Sequence, residues 1–328
     1  MRAESSILDP ESSYTPPVWL PGGHAQTLWP LTIKPALPPY RRERWTTPDG
    51  DFIDVDLIDG PAHAPLLVLF HGLEGNSRSH YAMALANAVG KFGWRFALPH
   101  FRGCSGELNR LPRAYHSGDS AEIEWILRRL RKHYGDAPLF AAGVSLGGNA
   151  LVKWAGEQGA RAQTTVSAIA AISAPLDLAA CGHHLAKGFN RIYTRHFLGT
   201  LKATSEARLQ RHPGCFDGPR MRRAGNLYQF DDAVTAPLHG FAGANDYWRR
   251  ASGKPWLAHI ALPALVLNAQ NDPFLPAEHL PSAGTVSSSV VLEQPADGGH
   301  VGFVSGPFPG HLDWLPQRLL GFFANITV

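Results

Sequence analysis

The sequence predicts an α/β fold: a mostly parallel central sheet, helices on both faces and a helical insertion late in the chain. Three observations carry this. Short unbroken apolar runs such as PLLVLF (65–70) and VSAIAAIS (166–173) suit strands covered on both faces. They alternate with stretches of helical spacing, the pattern of successive parallel strand–helix units. The alternation stops at about residue 176 and resumes at about 259.

Residues 1–40 are proline-rich and read as an extended N-terminal arm containing PGGHAQT (21–27). Residues 41–59 read as a hairpin, with RRERWTT and the alternating FIDVDLI joined through Pro48-Asp49-Gly50. PLLVLF follows as the first covered strand. Helical spacing is expected over 81–93, a strand over 94–99, and a helix over 119–134, where Ile123, Ile126, Leu127 and Leu130 share one face. APLFAAG (137–143) is a strand, 147–159 a helix ending at glycine, and 166–173 a strand. Strands resume at 261–270 and 287–294, and a helix over 311–324 closes the chain. The expected organisation is an arm (1–40), a core made of 41–175 and 259–328, and a helical cap insertion (176–258).

Bulk properties narrow the class. Of the 328 residues, 44% are hydrophobic and 17% charged, which excludes a disordered chain. A formal net charge of +3, with no basic tract interleaved with aromatics, argues against a nucleic-acid partner. The cysteines, Cys104, Cys181 and Cys215, are odd in number and far apart. They fit neither a zinc cluster nor a disulfide framework, so a reduced, cytoplasmic protein is expected. The opening MRAESSILDPESS lacks the apolar stretch of a signal peptide, and no run has the length of a membrane span.

The chemistry is written in four places. Gly143-Val144-Ser145-Leu146-Gly147 matches G-x-S-x-G between an expected strand and an expected helix. A serine nucleophile needs that sharp strand-to-helix turn, and flanking glycines leave room for it. The helix then aims its N-terminal N–H groups at developing negative charge. Acyl transfer needs two N–H donors for the oxyanion. Leu146, after the nucleophile, supplies one; Leu73, in Phe70-His71-Gly72-Leu73-Glu74-Gly75 after the first covered strand, is expected to supply the other. Of 16 histidines, His300 in Gly298-Gly299-His300 alone combines the right order with a glycine-flanked loop after the last strand, and is the expected base. His24 and His71 read as structural or substrate-side. Asp272, after ALVLNAQ, is the expected acid that fixes the imidazole tautomer. Asp297 and Asp246 are its rivals. Cys104 reads as structural, and Arg102 with Glu107 as an ion pair fixing their shared loop.

Taken together, GGHAQT (22–27), TPDGDFIDVD (47–56), HGLEGNSRSHY (71–81), FRGCSGE (101–107), GVSLGGN (143–149), NDPF (271–274) and GGHVGF (298–303) resemble the YheT-like α/β-hydrolases, relatives of eukaryotic abhydrolase-domain lipid and ester hydrolases. The pieces run through most of the chain in that family's order. One difference is that His100-Phe101 stands where the family commonly has an asparagine before the Arg-Gly. The resemblance implies an α/β-hydrolase fold, Ser145, Asp272 and His300 in the triad positions, and hydrolysis of carboxylic esters, either acylglycerol-type lipids or short-chain esters.

The expected activity is therefore a serine esterase or lipase that works through an acyl-enzyme, with no metal or organic cofactor. The alternatives are an acyltransferase or thioesterase on the same triad, and a non-catalytic ligand-binding protein that kept the fold. The insertion carries a basic surplus together with Phe189, Phe197, Trp248 and Trp256. A solvated lid is the expected reading, with weak contact to a membrane surface as its rival.

Overall fold

Alternation along each strand decides how the sheet is buried. In β3 the side chains of Leu66, Val68 and Phe70 join one apolar cluster, and those of Leu67 and Leu69 join another on the opposite face. The computed structural model describes residues 14–326; the first 13 residues of the expected arm and the last two residues of the chain lie outside them. The elements run in the order α1 (Gly23–Leu28), β1 (Arg41–Thr46), β2 (Phe52–Ile58), β3 (Leu66–Phe70), α2 (His80–Lys91), β4 (Arg95–Pro99), α3 (Ser120–Tyr134), β5 (Leu139–Val144), α4 (Leu146–Gln158) and β6 (Ala168–Ile172). Then follow α5 (Leu178–Leu185), α6 (Arg191–Arg211), α7 (Gly218–Arg223), α8 (Leu227–Phe230), α9 (Ala236–Leu238), α10 (Ala244–Ala251), β7 (Ala264–Leu267), β8 (Val290–Glu293) and α11 (Trp314–Ala324).

The eight strands form one sheet in the order β1-β2-β4-β3-β5-β6-β7-β8. β1 and β2 pair antiparallel, as do β2 and β4, and every later pairing is parallel. On one face Ile123, Ile126, Leu127 and Leu130 of α3 and Leu151 and Trp154 of α4 cover the sheet. On the other, Ala82, Leu85, Ala86 and Val89 of α2 meet Leu315, Leu319, Leu320 and Phe323 of α11. Each fully buried Leu, Ile or Phe stabilises the fold by about 1.5–3 kcal/mol, so the two apolar layers hold the sheet between them.

The chain passes from β3 to β4 on one side and then to β5 on the other. The ends of β3 and β5 are thus adjacent at the point where strand order reverses, where sheets of this kind open a crevice.

Three expectations need correction. The segment before β1 is not extended throughout: Gly23–Leu28 is helical. A side chain on Gly23 would meet the Asn271 carbonyl oxygen at 1.9 Å, so only glycine lets this helix seat against the loop after β7. Arg102 does not pair with Glu107. It is buried, and bonds Glu122 at 2.8 Å and Asp49 at 2.9 Å, whereas Glu107 stays at the surface with Arg44 at 2.7 Å. A buried guanidinium left unpaired is unfavourable, and Glu122, itself buried, supplies the partner here. Finally, the insertion's aromatics do not share a surface. Trp248 is buried with its indole N–H donating to Asp231 at 2.8 Å, Phe197 lines an internal cavity, and Phe189 is 59% exposed. Among the described residues no helix is long and apolar enough to cross a membrane.

Candidate active site

Ser145 occupies the single residue between β5 and α4, at φ 51° and ψ −120°. A non-glycine residue held there stores strain on the order of 1–3 kcal/mol, which the surroundings must over-determine. They do so by close approach. A Cβ on Gly143 would fall 2.5 Å from the Gly147 carbonyl oxygen, and one on Gly147 would fall 2.4 Å from that of Phe70. Both flanking glycines are therefore steric requirements of the turn. The Ser145 N–H donates to the Ile172 carbonyl at 2.8 Å, tying the turn to β6.

His300 and Asp272 reach this serine from two other strand ends. His300 Nε2 lies 3.0 Å from Ser145 Oγ, and His300 Nδ1 lies 2.8 Å from Asp272 Oδ2. A carboxylate accepts from a protonated Nδ1, which leaves the Nε2 lone pair facing the hydroxyl. The other oxygen of Asp272 accepts from the Phe274 N–H at 2.8 Å. The Phe274 ring stacks on the imidazole at 3.8 Å between centroids, fixing its plane.

The rivals lie elsewhere. Asp297 accepts from Asn271 at 2.7 Å and from Gln26 at 3.3 Å, and makes no bond to His300. Asp246 is on α10, bonded to Arg249 and Arg250. His71 is fully buried: its Nδ1 bonds the Gly72 carbonyl at 2.8 Å and its Nε2 accepts from the Phe101 N–H at 3.0 Å. Burial pulls its pKa down to about 3, so it is a neutral brace. His24 bonds and stacks on Tyr193. Cys104 has its thiol pushed up by burial first and by Glu74 second, which opposes a thiolate role.

The two predicted oxyanion donors flank the serine. The loop after β3 packs so closely that a Cβ on Gly72 would touch that of Ser145 at 3.3 Å. Gly72 donates to the Tyr81 hydroxyl and Glu74 to the Tyr115 hydroxyl, yet the Leu73 N–H between them has no partner among the described residues. The Leu146 N–H, first in α4, is equally free. Ser145, Leu73 and Leu146 all line a cavity of about 120 Å³, whose further wall comes from α5, α6, α8 and α10. No group of three or more His, Cys, Asp or Glu side chains among the described residues is placed to hold a metal.

GGHAQT, read from the sequence only through His24 and the family resemblance, supports the loop carrying His300 through Gln26 and Thr27. Gln26 Oε1 accepts from the Gly298 N–H at 2.8 Å and from the Asn271 side chain at 2.9 Å; its amide nitrogen donates to the Leu20 carbonyl at 3.0 Å. Asn271 Oδ1 accepts from the Gly299 N–H at 2.9 Å, and Thr27 Oγ1 accepts from the His300 N–H at 2.9 Å. A polar, uncharged Gln-Thr pair in a glycine-led turn was the visible signal, but its partners lie more than 240 residues away. Gln26 is thus a positioning residue. Gln26→Ala is expected to lower kcat by about 10- to 100-fold with little change in KM, because a base displaced by an ångström loses that much. Steady-state kinetics on any accepted ester measures this; an unchanged kcat would remove the positioning role.

The comparisons agree with this architecture. The family described as alpha/beta hydrolase fold matches residues 65–307. The protein named "Putative esterase YheT" of Escherichia coli strain K12 is 40% identical over 303 residues, covering 90% of this chain and 88% of its own. Human phospholipase ABHD3 is 30% identical over 312 residues, covering 90% of this chain and 75% of its own. The solved structure of Est1E from Butyrivibrio proteoclasticus superposes with a TM-score of 0.55 at 16% identity, covering 87% of this chain and 98% of that one, which bears on the fold alone. With a sheet of this order, a family match over most of its length and relatives of this similarity, the chain belongs to the YheT-like α/β-hydrolase family and is a hydrolase.

Proposed function

We propose that this hydrolase is a serine carboxylic-ester hydrolase acting through an acyl-enzyme on short-chain esters or acylglycerol-type lipids. The observation that carries the reading is the continuous relay from Ser145 Oγ to His300 Nε2 at 3.0 Å and from His300 Nδ1 to Asp272 at 2.8 Å. Ser145 Oγ attacks the ester carbonyl carbon while His300 Nε2 takes its proton. The oxyanion accepts from the free N–H groups of Leu73 and Leu146, each worth about a hundredfold or more in turnover. The C–O bond to the alcohol breaks as His300 returns the proton to the leaving oxygen. Water, deprotonated by His300, then attacks the acyl carbon; the bond to Ser145 Oγ breaks as His300 returns the proton to that oxygen, and the acid is released. The α5–α10 stretch acts as a cap, since its side chains close the cavity above Ser145.

The aliphatic lining, which includes Leu178, Leu185, Leu201 and Leu227, supports an acyl chain as the group held there. The name of the ABHD3 phospholipase supports a lipid ester. The three unpaired cysteines support a reducing, cytoplasmic setting. The cap is read as a solvated lid, and exposed Phe189 and Ile192, with Lys187, Arg191 and Arg195 beside them in sequence, are the residues through which the rival, weak contact with a lipid surface, would act.

A series of p-nitrophenyl esters of increasing acyl length tests the reading. Turnover is expected to rise until the chain fills the cavity and then to fall. Folded protein with no turnover above background across the series would contradict it. With alcohol or thiol acceptors added, transfer products in excess of free acid would replace hydrolysis by acyl transfer.

A further inference from the structure

The cavity above Ser145 contains a charge that ester hydrolysis does not use. Arg208, near the end of α6, is 4% exposed and lines the cavity with Ser145 and Leu146. Its guanidinium makes no hydrogen bond and no ion pair with any described residue, and its Nε is enclosed without a partner. The contrast with Arg102 is direct. That guanidinium, equally buried, is bonded to Glu122 and Asp49. Where this protein uses a buried arginine to hold its fold, it pairs it.

Arginine keeps its charge in proteins, and an enclosed cation without a partner is unfavourable. The neighbouring groups do not relieve it. Glu74 pulls on Arg208 through space, but its carboxylate accepts from the Tyr115 hydroxyl at 2.7 Å and forms no ion pair with the arginine. Asp231 is occupied by Thr235 at 2.6 Å and Trp248 at 2.8 Å. Burial holds His116 neutral, with its pKa near 4, and His239 neutral, with its pKa near 3. Cys104 and Cys215 are held as thiols by burial. Burial also lowers the pKa of Arg208 itself, the direction that an arriving anion reverses. Much of the remaining wall is apolar, with Leu178, Leu185, Phe197, Leu201, Leu227 and Phe230.

We infer that Arg208 is a substrate-binding residue that receives an anionic group, a carboxylate or a phosphate, carried by the substrate away from its scissile ester. The guanidinium fork matches either anion with two parallel donors. The inference rests on the ester-hydrolase reading and narrows its substrate class to apolar-chain esters that bear a negative charge.

The test uses chain-matched p-nitrophenyl esters whose far end is a methyl group, a carboxylate or a phosphate, with the wild-type protein, Arg208→Gln and Arg208→Lys. The wild type is expected to favour a charged ester over the methyl ester by about tenfold to a hundredfold in kcat/KM, the scale of a charge-assisted hydrogen bond. The carboxylate and phosphate arms decide which anion is the better fit. Arg208→Gln should lose the preference for the charged esters over the methyl ester, the loss falling mainly on their KM, and Arg208→Lys should restore part of it.

Equal treatment of charged and methyl esters by the wild type, or a preference retained in Arg208→Gln, would overturn the assignment. Calorimetric binding of decanoate and of decanamide separates this from failure of the hydrolase reading. Decanoate should bind the wild type and Ser145→Ala more tightly than decanamide does, and Arg208→Gln in either background should narrow that gap although the Leu73 and Leu146 donors are retained, whether or not any ester is turned over. If Arg208→Gln fails to fold, as judged by its melting curve, the two-ligand comparison on the wild type still decides: equal affinities refute the inference.

Discussion

Ser145→Ala is expected to lower kcat for ester hydrolysis by about 10⁴-fold or more while leaving the protein folded. The magnitude follows from how a nucleophile and its base act as a unit. Removing either one costs nearly as much as removing the whole relay, and what remains comes from oxyanion donors and binding. The structure keeps those intact in the variant. Leu73 and Leu146 hold their N–H groups through the β3 loop and the start of α4, and Gly143 and Gly147 still make the turn. Alanine also suffers the φ of 51°, so the strain is not relieved and the melting temperature should stay within a few degrees. Loss of activity with an unchanged melt assigns the effect to the hydroxyl. Residual turnover within about tenfold of wild type would mean that another group performs the chemistry.

Asp272→Asn is the second large effect, with an expected fall in kcat of about 10⁴-fold. The carboxylate oxygen 2.8 Å from His300 Nδ1 accepts a proton-bearing nitrogen. An amide NH₂ turned to the same place can only donate, so it selects the tautomer with the proton on Nε2, and that nitrogen can no longer take the proton of Ser145. The other oxygen position still meets the Phe274 N–H, so the loop and the stacked Phe274 ring are retained. The rival carboxylate provides the control. Asp297 bonds Asn271 and Gln26 rather than the imidazole, and Asp297→Asn should cost far less than Asp272→Asn. The reverse ranking, measured as kcat on one p-nitrophenyl ester, would move the acid role to Asp297.

The parts of the fold that were legible in the sequence are those set by local rules. Covered strands such as LLVLF show as unbroken apolar runs because both faces are buried. α3 shows its face through Ile123, Ile126, Leu127 and Leu130 because one side packs on the sheet. The Ser145 turn was readable because its glycines are demanded within five residues of chain. The order of the motifs then placed His300 and Asp272 at ends of the sheet that the coordinates bring together.

What could not be read depends on partners distant in sequence. Nothing local marks Gln26 as the prop of the Gly298–His300 loop, or makes Gly23–Leu28 helical rather than extended. Arg102 and Glu107 sit in one loop and look like a pair, yet burial of the first and exposure of the second send them to different partners. Arg208 was one of a dozen basic residues in an insertion read as a solvated lid; only the packing of α6 over the cavity separates it from its solvated neighbours.

The central claim is that the Ser145 hydroxyl is made nucleophilic by His300. Labelling with a fluorophosphonate, followed by intact mass and peptide mapping, addresses it most directly because the probe needs an activated serine but no knowledge of the natural ester. The expected result is a single adduct on the peptide containing Ser145, absent in Ser145→Ala and strongly slowed in His300→Ala. A folded protein that takes up no probe, or that carries the adduct on a different residue, would contradict the account.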